Sequence, residues 1–183
     1  MARLPYQTRD ELPPEYQELF DVDAGTGSDS VLNIYRALAN NPRLFRSWML
    51  WMDTLWDESA NKRIRELAIL AVAREIDARY EWHQHVPIAL DSGVTRAEIL
   101  AISDGAFDGF SDAEAAVMVC ATAVAGHSPD DETFDELARN FDDGTVLALT
   151  LLASEYLRIG AVVDALGIEP REPFVGWQLE GVE

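Results

Sequence analysis

The chain has 183 residues, 48% hydrophobic and 26% charged, which suits one soluble domain with a sizeable core. Its formal net charge of -19 argues against binding to nucleic acid or to an anionic membrane surface. With a single cysteine, no secretory signal at the start and the apolar runs AILAVA and VMVCATAVAG too short to cross a bilayer, we expect a cytoplasmic protein without disulfides.

The N-terminal third predicts a polar arm and then helices. Residues 1–29 form the predicted arm and loop, with a short helix over Pro14–Phe20 and a Gly-, Ser- and Asp-rich loop after it. Ser30 is the expected cap of a helix that stops at the pair Asn40–Asn41. Pro42 then begins a helix with a wide apolar stripe.

The middle of the chain predicts two consecutive helices. Asn61 starts an apolar helix that ends near Asp77 or Ala78. A second helix follows from about Arg79 and ends at Gly93. If these two helices pack as a hairpin, their facing side chains meet.

Capping signals place the remaining helices. Thr95 with Glu98, and Ser111 with Glu114, both read as capping boxes. The predicted helices run to Ile102 after the first box, over Ala115–Ala125 after the second, and then over about Pro129–Phe141 and Thr145–Leu166, with Gly167 after the last. The sequence therefore predicts one all-α domain of about eight helices over 30–167. Residues 168–183 form an extended tail, expected to pack on the domain or on a neighbour through Phe174, Val175 and Trp177.

Three titratable residues suggest a proton-transfer site. Glu81 and His85 are four residues apart, so on a helix they share one face. Glu66 precedes them and meets them only across a helical hairpin. Two carboxylates and an imidazole in an apolar surround suit general acid–base catalysis. The plainer alternatives are an exposed Glu81–His85 pair and a first-turn Glu66 paired with Arg63 or Lys62.

The other reactive residue types indicate structural roles. His83 points away from His85 on a helix, so the two are not expected to chelate a metal together, and we predict no metal site. Cys120 lies in an apolar run and reads as a buried small residue. The tryptophans Trp48, Trp51 and Trp56 are expected in the core or in a subunit interface.

The stretch from Asn40 to Ala106 resembles the carboxymuconolactone decarboxylase family, which includes alkylhydroperoxidase-D-like (AhpD-like) proteins. The resemblance rests on RELAILAVAREIDARYEWHQHVPIALDSGVTRAEILAI. The peroxidase-like branch has a glutamate, a Cys-x-x-Cys pair and a histidine; here the glutamate falls on Glu66 and the histidine on His85. The two cysteine positions are Ala78 and Glu81.

Without the cysteine pair, the thiol–disulfide cycle of a peroxidase has no nucleophile and no resolving group. The resemblance then implies an AhpD-like helical bundle that acts as a cofactor-independent lyase or isomerase on a small carboxylated or lactone substrate. His85 is the expected general acid–base, Glu81 its partner or a second acid–base, and Glu66 the orienting or relay carboxylate. Tyr80 and Trp82 are the predicted substrate-binding residues.

The resemblance also implies a homo-oligomer, either a trimer or a hexamer. Its buried subunit surfaces are expected among the aromatic residues Trp48, Trp51, Trp56, Phe174 and Trp177. Four arginines are candidates for binding an anionic substrate: Arg63, Arg65, Arg74 and Arg79. The alternatives are a ligand-binding or structural oligomer without catalysis, and a metal-dependent enzyme that uses Glu81 and His85.

Overall fold

The computed structural model describes residues 2–21 and 31–180, and all regular elements in these ranges are helices. Short 3-10 helices span Arg9–Glu11 and Pro14–Phe20. The α-helices are α1 Asn33–Leu38, α2 Pro42–Glu58, α3 Lys62–Glu75, α4 Arg79–Asp91, α5 Arg96–Ser103, α6 Asp112–Ala125, α7 Asp131–Asn140 and α8 Asp143–Leu166. The predicted all-α, single-domain fold with about eight helices is confirmed.

Side-chain caps set most of the helix starts. Asn41 and Asn61 accept hydrogen bonds from the backbone N–H groups of Leu44 and Ile64, which fixes the first turns of α2 and α3. The two predicted capping boxes form as expected, with Glu98 and Glu114 each bonding back to the N-cap residue.

Two predicted helix starts differ from the structure. The predicted cap Ser30 lies outside the described residues, and α1 begins at Asn33, after Leu32 in extended conformation. Helix α8 begins at Asp143 rather than Thr145, because Asp142 caps it by accepting from the Thr145 N–H. Its end at Gly167 is as predicted, with φ at 61°, a conformation that glycine adopts without steric cost.

Helix α3 is the centre of the core and packs against α4, α6 and α8. Its residues from Leu67 to Ala73 are all buried. Helix α8 is long and apolar enough to cross a membrane by length and composition, but 56% of its apolar window is buried inside the domain. It packs against α2, α3 and α6 as a core helix does.

The C-terminal tail folds back onto the domain. Trp82 on α4 donates to the backbone carbonyl of Gly176 at 3.0 Å, and its ring contacts Trp177. The backbone N–H of Val175 donates to Nδ1 of His83 at 3.1 Å. The tail therefore covers the face of α4 that carries Trp82 and His83.

Arg63 joins the starts of three helices. From the first turn of α3, its guanidinium contacts Glu98 at 2.5 Å and Glu114 at 2.6 Å, the two glutamates of the capping boxes. It also donates to the carbonyl of Gly93 at 2.7 Å. Because its guanidinium binds all three partners, Arg63 has a structural role.

Replacing Arg63 with alanine is expected to lower the free energy of unfolding by about 1–3 kcal/mol, since charge-assisted bonds to three partners are lost in a half-buried site. Urea unfolding followed by far-UV circular dichroism measures this loss. Arg43→Ala, on the exposed side of α2, is the matched control and is expected to change stability by less than about 0.5 kcal/mol. Equal losses in both variants contradict the role assigned to Arg63.

Candidate active site

Glu66 and His85 meet across the hairpin of α3 and α4. The turn between the helices places Asp77 in the left-handed region, with φ at 58°, and brings the two helices side by side. Nδ1 of His85 lies 2.7 Å from Oε2 of Glu66. Glu66 is 2% exposed and His85 8% exposed, so this hydrogen bond is shielded from bulk water.

Glu81 lies on the other side of the imidazole, one turn earlier on α4. Its Oε2 is 3.9 Å from Nε2 of His85, too far for a direct hydrogen bond and close enough for a shared bonding partner. Its other oxygen, Oε1, is buried and has no hydrogen-bond partner among the described residues. The imidazole is therefore bonded on its Nδ1 side and faces Glu81 on its Nε2 side.

The surroundings shift the pKa of both groups. Burial raises the pKa of Glu81 to about 7, against the opposing effect of the His85 charge. Burial alone lowers the pKa of His85, but the charge and hydrogen bond of Glu66, together with the charge of Glu81, outweigh it and raise that pKa. The raised pKa of His85 favours its imidazolium form, and a pKa of about 7 lets Glu81 exchange a proton near neutral pH, which suits general acid–base catalysis.

These three side chains line a cavity of about 370 Å³ between α1, α2, α3, α4 and α8. Five aromatic residues form much of its wall: Tyr35, Trp48, Trp56, Tyr80 and Tyr156. Lys62 and Arg65, from the first turn of α3, supply positive charge to the same wall. A mostly apolar wall with a few convergent polar groups is typical of small-molecule sites.

Tyr156 is a site residue that the sequence did not indicate. Its ring meets the His85 ring edge-on, with centroids 5.0 Å apart. Its hydroxyl accepts a hydrogen bond from Trp56 Nε1 at 3.3 Å, so its own hydrogen remains available for a ligand. Burial raises the pKa of Tyr156 well above its usual value, aided by the charges of Glu66 and Glu81, so the phenol stays neutral.

The structure brings Glu66, Glu81 and His85 together as the sequence predicted, and neither plainer alternative describes them. The Glu81–His85 pair is buried, and Glu66 bonds to His85 and lies 3.5 Å from the Arg65 guanidinium. Tyr80 lines the cavity. Trp82 does not line this cavity, because its indole turns to the C-terminal tail, and its role as a substrate-binding residue stays a prediction.

Of the four candidate arginines, only Arg65 lines the cavity. Arg74 donates to the carbonyl of Ser103 and lies over the Trp177 ring. Arg79 lies over the Phe174 ring. Arg63 binds the two glutamates of the capping boxes. Each of these three guanidinium groups therefore has a structural partner outside the cavity, and Arg65 remains a candidate for binding an anionic substrate.

Cys120 and His83 lie outside the cavity that Glu66, Glu81 and His85 line. Cys120 is buried, and burial raises the pKa of its thiol, so it is a poor nucleophile. His83 accepts a hydrogen bond from the tail rather than facing His85. Within residues 2–21 and 31–180, no group of three His, Cys, Asp or Glu side chains is arranged to hold a metal ion.

A second cavity, of about 430 Å³, lies on the other side of Glu81. It is formed by the start of α4, the last part of α8 and the beginning of the tail, and it shares only Tyr80 and Glu81 with the first cavity. Glu81 thus stands in the wall between two cavities.

Glu81 makes stability depend on pH. Because its pKa is raised from 4.5 to about 7 on folding, its contribution to stability is complete below pH 4.5 and is lost as the pH rises through 7. Between pH 5 and pH 9, Glu81 is expected to lower the free energy of unfolding of the unmodified protein by on the order of 3 kcal/mol. This decrease is expected to be absent in Glu81→Gln. Urea unfolding at both pH values measures it, with exposed Glu58→Gln as control. If the stability of Glu81→Gln depends on pH in the same way as that of the unmodified protein, the burial of an ionisable Glu81 is contradicted.

Comparisons with known proteins find relatives of this sequence and of this fold. Residues 42–123 match the carboxymuconolactone decarboxylase family, while no curated protein matches the sequence. A peroxidase-related protein from Ralstonia eutropha JMP134, described as an alkylhydroperoxidase AhpD core, is 19% identical with a TM-score of 0.77, over 97% of this chain and 96% of that chain.

Two further solved structures share the fold. The debrominase Bmp8 in complex with 2,3,4-tribromopyrrole has a TM-score of 0.83 at 19% identity, over 100% of this chain and 98% of that chain. A peroxidase-related protein from Silicibacter sp. TM1040 has a TM-score of 0.80 at 17% identity, over 96% and 94%. Residues 42–123 thus match the carboxymuconolactone decarboxylase family, and the described part of the chain has the AhpD-like fold.

Proposed function

We propose that this protein is a cofactor-independent lyase or isomerase that moves a proton at carbon in a small carboxylated or lactone substrate. The observation that carries the proposal is the position of His85. Its Nδ1 is held by Glu66 at 2.7 Å, while its Nε2 faces Glu81 across 3.9 Å on the wall of a ring-sized cavity. A reacting atom between Nε2 and Oε2 can exchange a proton with either group.

The proposed lyase step begins with a substrate carboxylate and a neighbouring carbonyl group. The carbon–carbon bond to the carboxylate breaks, carbon dioxide leaves, and the electron pair moves into the carbonyl to form an enolate. The His85 imidazolium gives its Nε2 proton to the negative oxygen and takes it back when the carbonyl group forms again, and the neutral Tyr156 hydroxyl can donate a hydrogen bond to the same oxygen. Glu81, in its protonated form, then gives its proton to carbon and becomes a carboxylate.

The charges on the cavity wall support a substrate with an anionic group. Lys62 and Arg65 lie at the start of α3, where the helix N-terminus also favours negative charge. Glu66 and the His85 imidazolium compensate each other by their short contact. If the anionic group of the substrate binds near Lys62, the uncharged part of the substrate contacts the aromatic wall of the cavity.

The comparisons support the fold and a ligand of the size of a single ring, and the reaction itself is our proposal. Two relatives are named as peroxidase-related proteins and a third as a debrominase that binds a single small ring. We expect no peroxidase activity here, because this chain has one cysteine, which is buried, and Glu81 stands at the second cysteine position of the peroxidase-like pattern.

The test uses carboxymuconolactone and uncharged unsaturated lactones, each incubated with the protein in D₂O. The expected result is carbon dioxide release or isomerisation with one deuterium placed on carbon, and loss of this activity in Glu81→Gln. If the ligands bind and no carbon–deuterium bond forms, the enzyme proposal is rejected and a ligand-binding role takes its place.

We also propose that the chain forms a homo-oligomer, a trimer or a hexamer. Large apolar side chains are exposed on α2 and α8: Leu44, Leu50, Trp51, Leu147 and Leu151. The other four aromatic residues expected at subunit surfaces lie elsewhere, since Trp48 and Trp56 line the cavity and Phe174 and Trp177 pack at the tail. Light scattering after size-exclusion chromatography tests the assembly; a monomeric mass contradicts it.

A further inference from the structure

The two cavities that meet at Glu81 differ in the charged groups that line them. The basic residues Lys62 and Arg65 line the first cavity, together with His85 and the carboxyl groups of Glu66 and Glu81. The second is lined by the exposed acidic residues Asp77, Asp164, Glu169 and Glu172, together with Arg79, whose guanidinium lies over the Phe174 ring. An acidic cavity concentrates cations, including protons, next to its walls.

Glu81 is the titratable group common to both cavities. It is 5% exposed, and its Oε1 is buried without a hydrogen-bond partner among the described residues, while Oε2 faces His85. A buried carboxyl oxygen without a partner is costly, and it is tolerated where a proton or a passing ligand uses it. Oε2 therefore faces the site of the reaction, whereas the reaction gives Oε1 no role.

The proposed lyase reaction needs a proton from outside in every turnover. Loss of carbon dioxide from a carboxylate leaves an electron pair that takes one proton, so Glu81 ends each turnover as a carboxylate. Water must reprotonate it. A substrate or product that fills the first cavity of about 370 Å³ blocks access from that side.

We propose that the second cavity is the path by which Glu81 takes up its proton from water while the first cavity is occupied. The purpose of this path rests on the proposed function, but the path itself is a property of the folded protein and can be tested without turnover. The acidic residues at the second cavity collect protons, and Glu81 passes them from the second cavity to the reacting atom in the first.

Several groups act on the protonation of Glu81 and must be kept unchanged in a test. His85 faces it on its own helix, and Glu66 lies behind His85 on α3. Three buried tyrosines also interact electrostatically with Glu81: Tyr35 on α1, Tyr80 on α4 and Tyr156 on α8. The plugs described next replace none of these residues.

The test closes each cavity with a removable plug. In a Cys120→Ala background, Gln84→Cys places a thiol in the first cavity and Asp164→Cys places one in the second. Both are labelled with benzyl methanethiosulfonate. After a rapid jump from pH 9 to pH 5, infrared absorption follows the protonated carboxyl band of Glu81, identified by its absence in Glu81→Gln.

With the label at residue 84 alone, Glu81 is expected to be protonated as fast as in the unlabelled protein. With labels at 84 and 164, protonation is expected to slow by about tenfold or more, and reduction of the labels restores it. A label at exposed Glu136→Cys combined with the label at 84 is the matched control and is expected to leave the rate unchanged. The proposal is overturned if the label at 84 alone slows protonation as much as both labels do, or if both together have no effect.

These outcomes separate the path from the enzyme activity. If the double label slows protonation and no lactone is turned over, the path stands and the proposed function fails. If turnover depends on Glu81 and the double label has no effect on protonation, the function stands and the path fails.

Discussion

Replacing His85 with asparagine is expected to lower kcat for the lyase or isomerase reaction by about 10²–10⁴-fold, the usual contribution of a positioned acid–base group. Asparagine keeps a polar side chain of moderate size and removes the proton exchange at Nε2. The measurement is steady-state turnover of the responsive lactone at neutral pH, with circular dichroism to show that the helices remain. A loss in kcat with a folded protein is the expected result.

The matched control for His85 is His127→Asn. His127 is exposed after α6 and has φ at 55°, a left-handed conformation that asparagine tolerates. Turnover in this variant is expected to equal that of the unmodified protein. If His85→Asn also keeps full turnover, His85 has no part in proton transfer, and the role proposed for the cavity is rejected.

Replacing Glu66 with glutamine is expected to lower kcat by about 10²-fold and to move the pH profile. Glu66 is a positioning residue, since it holds Nδ1 of His85 at 2.7 Å and supplies the charge that raises the pKa of His85. A glutamine can bond to Nδ1 but carries no charge. The pKa of His85 therefore falls, and the imidazolium needed for the reaction is lost at a lower pH.

The pH profile separates this positioning role from a merely structural one. A variant that only loosens the fold lowers kcat at every pH without moving the basic limb of the profile. Glu66→Gln is expected to move that limb toward lower pH, whereas Glu66→Asp, which keeps the charge, is expected to restore part of its position. An unmoved limb in Glu66→Gln shows that Glu66 does not set the charge of His85.

Much of the fold follows from local signals in the sequence. The caps Asn41 and Asn61 and the two capping boxes each satisfy backbone N–H groups within three residues, so the residues themselves mark the helix starts. The start of α8 was placed two residues late, because Gly144 disfavours helix while Asp142, just before it, is the better cap.

The candidate site is only partly readable from the sequence, because it depends on how distant helices pack. Spacing places Glu81 and His85 on one face, and the hairpin explains how Glu66 reaches them. Tyr156 lies 71 residues beyond His85, and no local pattern connects the two. The contact between the Trp82 indole and the C-terminal tail is hidden in the same way, since the tail has no periodic pattern to position it.

We propose that the buried Glu66–His85–Glu81 group exchanges protons at the cavity wall near neutral pH. An NMR titration of the carboxyl carbon of Glu81 and the imidazole nitrogens of His85 in the unmodified protein tests this proposal. Glu81 is expected to titrate near pH 7, and His85 is expected to keep a proton on Nδ1 and to stay charged above its usual pKa. A Glu81 that titrates near 4.5, beside a His85 with an ordinary pKa, contradicts it.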